Sequence, residues 1–319
     1  MNRADDRGER SWERELLENL ASDALKEKRR ARRWGIFFKL LTFLYLGSLL
    51  LLLVPDEDLS LDKVPGKDHV ALVELEGIIG PDGMASADLI NEGLGKAFKD
   101  KHTKAVVLRI NSPGGTPVQA SLIYKEIRRL RAKYKDIPLY VVVGDMCASG
   151  GYYVAAAADK IFVNESSIVG SIGVLMNGFG FTGAMEKLGI ERRLLTAGEH
   201  KGILDPFSPL SESDKAFADK MLDQIHDNFI DAVKQGRGDR LAQDPQLFSG
   251  LFWTGKKAIE LGLADKIGDL GYVAREVVGI EKVVDFTAHE DPLERLAERI
   301  GMAGARTLAR LSGWMPGVH

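Results

Sequence analysis

The longest apolar run in the chain extends from Trp34 to Val54 and reads WGIFFKLLTFLYLGSLLLLLV. Its one charged residue is Lys39, near its start, from where the amine can reach the membrane interface. A helix over these residues would be about 31 Å long, which matches a bilayer core of about 30 Å. The run has no polar face, and no small-residue cleavage site follows it. The pattern therefore predicts a retained transmembrane helix over 34–54, not a cleaved signal or a buried core helix.

Charged residues flank this run unequally. Residues 26–33 read KEKRRARR, whereas the other side begins with the acidic residues 56–58. Because positive charge stays on the cytoplasmic side, residues 1–33 are predicted to form a cytoplasmic tail and the rest of the chain an extracytoplasmic part. Membrane lipid would then be a partner of 34–54, and 55–67 would be a polar linker.

From residue 68 onward, short apolar stretches typical of strands alternate with helical patterns. This alternation predicts a layered α/β domain over 68–285, with a sheet buried on both faces and a mostly helical part after Phe207. Residues 286–319 are charged and predicted to be a helical tail. Strands are predicted at 70–80, 105–112, 139–145 and within 160–175, and helices at 86–99, 117–134, 150–158, 212–236 and 254–261.

Composition narrows the possible functions. The chain has 319 residues and a formal net charge of −3, which gives no reason to expect nucleic acid as a partner. It has one cysteine and six histidines, and none of them stands in a metal-binding spacing. The sequence therefore predicts neither a metal site nor a cofactor.

Two glycine-bearing junctions between strand and helix carry candidate chemistry. Residues 111–115 read NSPGG, and residues 147–153 read CASGGYY. The second junction places Ser149 directly after a buried strand, where the hydroxyl of a nucleophile would be exposed and the Gly150 N–H could bind developing negative charge. An ordinary alternative is that Ser149 only caps the helix.

A nucleophilic serine needs a base, and a Ser-His-Asp triad fits this chain poorly, because no acid is placed to orient His200. Lysine is the other choice. Lys201 lies in a glycine-flanked loop, TAGEHKGILDPF (196–207). A solvated surface lysine is the competing interpretation, and Glu199 and Asp205 nearby would favour its charged form.

Five motifs follow one another in a known order: RINSPGG (109–115), CASGGYYVAAAADKI (147–161), SSIVGSIGV (166–174), EHKGILDPFSPLSE (199–212) and WTGKKAIELGLADKIG (253–268). In this order and spacing the chain resembles the short, single-repeat form of the signal peptide peptidase A (SppA) family over about residues 68–280.

That resemblance implies a ClpP/crotonase-like fold and a Ser-Lys dyad of Ser149 and Lys201. It also implies that Ser171 hydrogen-bonds the lysine and that the Gly114 and Gly150 N–H groups form the oxyanion hole. The dyad would be shared between protomers of a homo-oligomer. The substrates would be remnant signal peptides and other short or unfolded peptides, cleaved on the periplasmic face of a bacterial inner membrane.

Two other functions stay open at this point. The chain could be an inactive SppA-like membrane scaffold, against which the intact Ser149 and Lys201 argue. It could also be a crotonase-like acyl-CoA enzyme, which would need no membrane anchor. Among peptidases, the related SohB-type inner-membrane enzymes differ only by length and motif wording.

Overall fold

The computed structural model describes residues 26–30, 32–48 and 67–289. The chain divides into two compact units, Met1–Lys63 and Val64–His319. In the first unit, residues 26–30 and 32–48 are helical and exposed. The predicted span 34–54 coincides with this helix as far as Ser48, and 49–54 lie outside the described residues. Most of the predicted segments 1–33, 55–67 and 286–319 lies outside them as well.

None of the helices in the described ranges has both the length and the apolar character that crossing a bilayer demands. The transmembrane assignment of 34–54 therefore stays a prediction.

The second unit alternates strands and helices along most of its length. Its elements, numbered here in chain order, are β1 (His69–Glu76), α1 (Ala87–Lys99), β2 (Thr103–Ser112), α2 (Pro117–Lys133), β3 (Leu139–Ala148), α3 (Gly150–Ala155), β4 (Lys160–Val163), β5 (Ile168–Gly170), α4 (Thr182–Leu188), α5 (Glu212–Arg237), a 3-10 turn (Gly238–Arg240), β6 (Phe252–Thr254), α6 (Gly255–Glu260), β7 (Lys266–Ile267), α7 (Leu270–Tyr272), a π-helical turn (Val273–Val278) and β8 (Val283–Asp285).

One sheet contains all eight of these strands. Six of them follow the order β6-β5-β3-β2-β1-β8, and the other two branch from it, since β4 pairs with β3 and β7 pairs with β4. All pairings are parallel except that of β6 with β5. Strand β3 is long enough to have two neighbours on one side. Its first half pairs with β4, and its last residues, Met146 to Ala148, pair with β5. The end of β3, where Ser149 follows, therefore lies beside the end of β5.

Both faces of the sheet are covered, which confirms the prediction of a layered α/β domain. On one face, alternate residues such as Val73 and Leu75 of β1 pack against α1, α2 and α3. On the other face, Val70 and Leu72 pack with Phe162 against the chain segment around Val273. Continuously apolar strands are the consequence of this double burial.

Two predicted features differ from the structure. Strand β1 ends at Glu76, not at residue 80, because Gly77 takes a positive φ of 86°. Ile79 makes an isolated bridge to Gly115 beyond this turn. The part after Phe207 is less helical than predicted, since β6, β7 and β8 join the sheet there. Strands of two or three residues are too short to show a periodic pattern.

The long helix α5 begins as predicted. The side chain of Ser211 accepts a hydrogen bond from the Asp214 N–H at 3.1 Å and so caps the helix. The face of α5 that includes Phe229, Ala232 and Val233 is buried. This face brings the helix against the region around α3, where Tyr153 and Phe229 lie 4.9 Å apart between ring centroids.

Candidate active site

Ser149 occupies the junction between β3 and α3 in a conformation that few L-residues adopt. Its φ is 51° and its ψ is −122°. Its N–H donates to the Gly170 carbonyl at 2.8 Å, and its own carbonyl accepts from the Tyr153 N–H at 2.9 Å. The residue is thus held between the end of β5 and the first turn of α3. Holding a non-glycine residue in this region costs roughly 1–3 kcal/mol, which the surrounding hydrogen bonds must offset.

The alternative that Ser149 is an ordinary helix cap is not what the geometry shows. It occupies the N-cap position, but its side chain makes no capping hydrogen bond. A capping serine normally has extended backbone angles, as Ser86 and Ser211 do at the starts of α1 and α5. The Ser149 hydroxyl is instead free of the helix and half-buried at the wall of a cavity.

This cavity has a volume of about 590 Å³. Ser149, Gly150 and Ser171 contribute polar groups to it. Apolar side chains form most of the remaining wall, from α2, α3, the chain after β5, α5 and the chain before β6: Pro117, Ala120, Tyr153, Val174, Leu175, Ile225, Phe229 and Phe248. A mostly apolar cavity with a few convergent polar groups is the usual form of a binding site for a small molecule or a peptide side chain.

The NSPGG junction lies against Ser149, as the prediction of a shared site requires. A Cβ added to Gly114 would be 2.7 Å from the Ser149 Cβ and 2.8 Å from the Gly150 nitrogen. A Cβ on Gly115 would be 1.9 Å from the Ile79 carbonyl oxygen. Both glycines also have left-handed φ values, 108° and 152°. Only glycine allows the backbone to approach this closely.

The predicted oxyanion donors have different surroundings. Gly150 lines the cavity, and so does Gly115. The Gly114 N–H instead donates to the buried Ser112 Oγ at 3.1 Å. An oxyanion bound by Gly114 would therefore compete with Ser112 for this hydrogen. The assignment of Gly114 and Gly150 to an oxyanion hole stays a prediction.

Ser171 lines the same cavity as Ser149. It follows Gly170, which pairs with Ala148 in the sheet, so the two serines come directly after adjacent strand ends. Ser171 also has a left-handed φ, of 53°, and its N–H donates to the Leu251 carbonyl at 2.7 Å. The sheet register thus brings Ser171 to the same cavity as Ser149, and its predicted hydrogen bond to the lysine stays a prediction.

Lys201 is not part of this cavity in the single protomer. It is exposed and lies in a turn closed by the hydrogen bond from its N–H to the Gly198 carbonyl, at 3.1 Å. The segment 175–211, here called the arm, contains this turn and has no buried residue. Asp205, which could have kept the lysine charged, is engaged elsewhere. Hydrogen bonds from the Ser208 hydroxyl and the Phe207 N–H, together with Arg192, hold the pKa of Asp205 below its ordinary value.

Backbone strain in the described part of the chain is concentrated in these same segments. The non-glycine residues with positive φ there are Ser149, Ser171 and Leu204. The first two line the cavity, and the third lies three residues after Lys201 in the same loop. Strained backbone persists only where its surroundings enforce it, and it clusters at functional sites.

Sequence reasoning missed the wall of the cavity that α5 supplies. Ile225, His226 and Phe229 line it, although they are more than 70 residues from Ser149 in the chain. Their helical spacing indicated an apolar face but not what that face would contact. His226 alone could have indicated a site, because it is a polar residue on an otherwise apolar helix face.

Comparison with known proteins decides the family. The model of "Peptidase family S49" matches residues 131–283, a range that includes Ser149, Ser171 and Lys201. The "Putative protease slr0021" of Synechocystis sp. is 30% identical over 234 residues, which cover 72% of this chain and 82% of that protein. The chain belongs to peptidase family S49. This confirms the resemblance to the SppA family.

Other relatives share the same region of the chain. The "Putative signal peptide peptidase SppA" of Enterococcus faecium is 36% identical over 217 residues, 66% of this chain and 62% of that protein. The "Na(+)/H(+) antiporter NhaA" of Brucella melitensis is 50% identical over 216 residues, 66% of this chain but 29% of that protein. The chain thus spans less than two thirds of the length of these two relatives, and membership of family S49 rests on the peptidase region alone.

Proposed function

We propose that this member of family S49 is a serine peptidase whose nucleophile is Ser149. The observation that carries the proposal is the strained backbone of Ser149 on the wall of a cavity. Its side chain does not cap α3, and its backbone is held by hydrogen bonds to Gly170 and Tyr153. In this mechanism the Ser149 hydroxyl loses its proton to a base and attacks a peptide carbonyl. The base then protonates the leaving amine. Water hydrolyses the acyl-enzyme, which releases the carboxylic acid product and restores the Ser149 hydroxyl.

The developing oxyanion would be bound by backbone N–H groups. Gly150, which follows the nucleophile and lines the cavity, is the first donor. Gly114 is the second, in line with the family motif, once its N–H leaves the Ser112 hydroxyl. Loss of one such donor typically lowers kcat by about 10²–10³-fold.

Lys201 is the proposed base. A free lysine has a pKa near 10.4, so it accepts a proton near neutral pH only when burial disfavours its charged form. In one protomer its side chain is exposed. We therefore place its burial at a contact with a second copy, where Lys201 of one protomer enters the Ser149 cavity of another and meets the Ser171 hydroxyl.

The arm supports this assembly. It carries apolar side chains that are largely exposed, including Leu175 (81%), Phe179 (76%), Leu188 (74%) and Leu195 (95%). Exposed apolar surface is also found near the cavity, at Val118 and Phe252. Exposed apolar surface that is contiguous is typical of protein interfaces, and the arm carries many such side chains within one short segment. A homo-oligomer would cover them and bring the dyad together in one step.

The proposal includes a membrane anchor and a ClpP/crotonase-like arrangement of the peptidase unit. Helical residues 32–48 expose Trp34, Phe43 and Leu44 among other apolar side chains, which suits a lipid surrounding better than water. The anchor would hold the peptidase at the periplasmic face of a bacterial inner membrane. Its substrates there would be remnant signal peptides and other short or unfolded peptides, whose apolar side chains fit the cavity wall.

In a topology test, an external protease added to spheroplasts should digest the peptidase unit; complete protection would contradict this orientation.

The dyad is tested with the full-length protein in detergent and a fluorogenic apolar peptide. Ser149→Ala and Lys201→Ala should each lower kcat by at least about 10³-fold. Matched controls are Ser166→Ala, an exposed serine after β4, and Lys187→Ala, an exposed lysine on the arm; both should keep wild-type turnover. Activity of Ser149→Ala near the wild-type level, or no activity in the wild-type protein, would overturn the proposed function.

A further inference from the structure

The chain from Gly170 to Gly173 forms the part of the cavity wall that carries Ser171. Two backbone hydrogen bonds hold its first half: the Ser149 N–H donates to the Gly170 carbonyl at 2.8 Å, and the Ser171 N–H donates to the Leu251 carbonyl at 2.7 Å. Beyond Ser171 the Ile172 side chain is buried in the core, and the chain then passes through Gly173 into the arm, which has no buried residue. Burial holds the Ile172 side chain, but the peptide group that follows it also needs a partner for its carbonyl oxygen.

His226 of α5 supplies that partner. Its ring Nε2 lies 3.1 Å from the carbonyl oxygen of Ile172, the residue after Ser171. A carbonyl oxygen only accepts hydrogen bonds, so Nε2 must carry the proton. The ring is half-buried and lines the same cavity as Ser149 and Ser171. The contact joins residues 54 positions apart in the chain.

We propose that His226 is a positioning residue of the active site: by donating to the Ile172 carbonyl it holds the Ser171 hydroxyl where the catalytic base meets it. This inference rests on the proposed function and deepens it. Without the hydrogen bond, Ser171 could relax from its left-handed conformation, and its hydroxyl would no longer point to one place. The base would then be less well oriented toward Ser149, whereas the apolar walls that bind the substrate would be unchanged.

The Nε2 proton of His226 is committed to the Ile172 carbonyl, so this nitrogen cannot accept a proton from Ser149. Nε2 is a donor to Ile172 in the neutral ring and in the imidazolium alike, so the hydrogen bond survives protonation. Asp223 and Asp227 are the charged neighbours of His226 on its own helix. The described cavity wall, which the other elements complete, contains no Asp, Glu, Lys or Arg. No charged side chain of this wall therefore competes with the Ile172 carbonyl for the Nε2 proton.

The test compares His226→Leu, which removes the donor, with His226→Gln, whose side-chain amide can reach the same carbonyl. His226→Asn, which carries the same amide on a shorter side chain, keeps the comparison informative if the leucine variant does not fold. Gln224→Leu is the matched control, because it places leucine at an exposed position of the same helix, outside the cavity. The full-length protein is used, and kcat, KM and the rate at which a fluorophosphonate phosphonylates Ser149, with loss of fluoride, are measured.

His226→Leu and His226→Asn should lower kcat and the phosphonylation rate by on the order of 10²-fold, the typical effect of a displaced catalytic group. KM should change little, the final extent of labelling should stay complete, and His226→Gln should restore most of the rate. The positioning role would be overturned if the leucine or the asparagine variant reacted as fast as the wild type. It would also be overturned if the glutamine and asparagine variants lost the same share of the rate. Ser149→Ala separates this result from failure of the proposed function, since it must be inactive whatever His226 does.

Discussion

At the scale of single residues, the most informative feature is that serine occupies a backbone conformation that suits glycine. Ser149 has a φ of 51° and a ψ of −122°, whereas the neighbouring left-handed positions Gly114, Gly115 and Gly170 are glycines. A side chain at this position strains the backbone and lowers the stability of the fold, whereas glycine would not. The presence of serine here therefore indicates a function for its hydroxyl. The strained backbone lowers the stability of the fold and places the Ser149 hydroxyl oxygen at the cavity wall.

This cost can be measured. Ser149→Gly and Ser149→Ala should both be inactive, but the glycine variant should be the more stable of the two by about 1 kcal/mol, because alanine keeps the strain and glycine removes it. Urea unfolding of the full-length protein followed by tryptophan fluorescence gives the difference. A glycine variant less stable than the alanine variant would mean that the junction is not strained.

Some of these residues could be predicted from the sequence and others could not. Ser149 could, because a strand, a small-residue turn and a helix follow one another in the chain. The proximity of Ser149 and Ser171 rests on strand order, since it arises only when β5 pairs with the end of β3. The contact of His226 with Ile172 depends on the packing of α5, which no local pattern encodes.

At the scale of elements, α3 is held in place by a buried polar network behind it. The Tyr152 hydroxyl donates to the Leu263 carbonyl at 2.8 Å. The fully buried Arg237, in the last turn of α5, donates to the Gly262 carbonyl and to the Asp265 carboxylate, at 2.8 and 2.7 Å. Asp265 also accepts from the Ile161 N–H of β4. The network thus ties α3, α5 and β4 together beneath the candidate nucleophile.

The charge of Asp265 makes this tie sensitive to acid. Burial alone would raise the pKa of Asp265, but the hydrogen bond and charge of Arg237, with the Ile161 N–H and Arg240, outweigh it and leave the pKa below its ordinary value. A carboxyl with a lowered folded-state pKa contributes stability above its unfolded pKa of about 3.9, and the contribution is lost as the pH falls through the folded-state pKa.

Asp265→Asn should therefore lower the free energy of unfolding at pH 7 by about 3–5 kcal/mol, because it leaves the Arg237 charge buried without its partner. The gap to the wild type should begin to shrink as the pH falls below about 4, and it should close only below the lowered folded-state pKa, where the wild-type carboxyl is protonated as well. Denaturant unfolding at a series of pH values measures it, with Asp239→Asn, at an exposed position after α5, as the control. A gap that is the same at every pH would show that the Asp265 charge does not support the network.

The elements themselves were predictable to the extent that they are long and periodic. The helices α1, α2 and α5 begin and end within about two residues of their predicted bounds, because each has a clear apolar face and a cap or proline at its start. Strands β6, β7 and β8 were missed, since two or three residues cannot show alternation. Their place is set by the strand beside them, which is a tertiary effect.

At the scale of the whole molecule, the described residues place the candidate nucleophile Ser149 in a cavity that the proposed base Lys201 does not line, and the arm exposes apolar side chains. Arm residues Phe181 and Phe207 stack with ring centroids 5.4 Å apart, so the arm has some packing of its own. Its outer residues, above all Leu195, contact water. Association of two copies of the chain would bury the exposed apolar surface and complete the proposed dyad.

Charge placed on the arm should prevent this association. Leu195→Asp should lower the mass measured by light scattering in detergent and lower kcat together, because a dissociated protomer lacks its base. Lys101→Asp, a charge change at an exposed position just before β2 and outside the arm, gives the control for charge alone. Loss of activity in Leu195→Asp without any change in mass would separate the arm from assembly.

Mixing two inactive variants tests the shared dyad directly. If Ser149 and Lys201 of one site come from different protomers, equimolar Ser149→Ala and Lys201→Ala chains, exchanged in detergent, should recover up to about one quarter of wild-type activity, because half of the serines and half of the lysines are intact. If the dyad forms within one chain, every site in the mixture has a defect and nothing is recovered. Mixing Ser149→Ala with the double variant Ser149→Ala/Lys201→Ala controls for stabilisation by assembly alone, since no intact serine is present. Recovery in the first mixture and not in the second therefore locates the catalytic site between protomers.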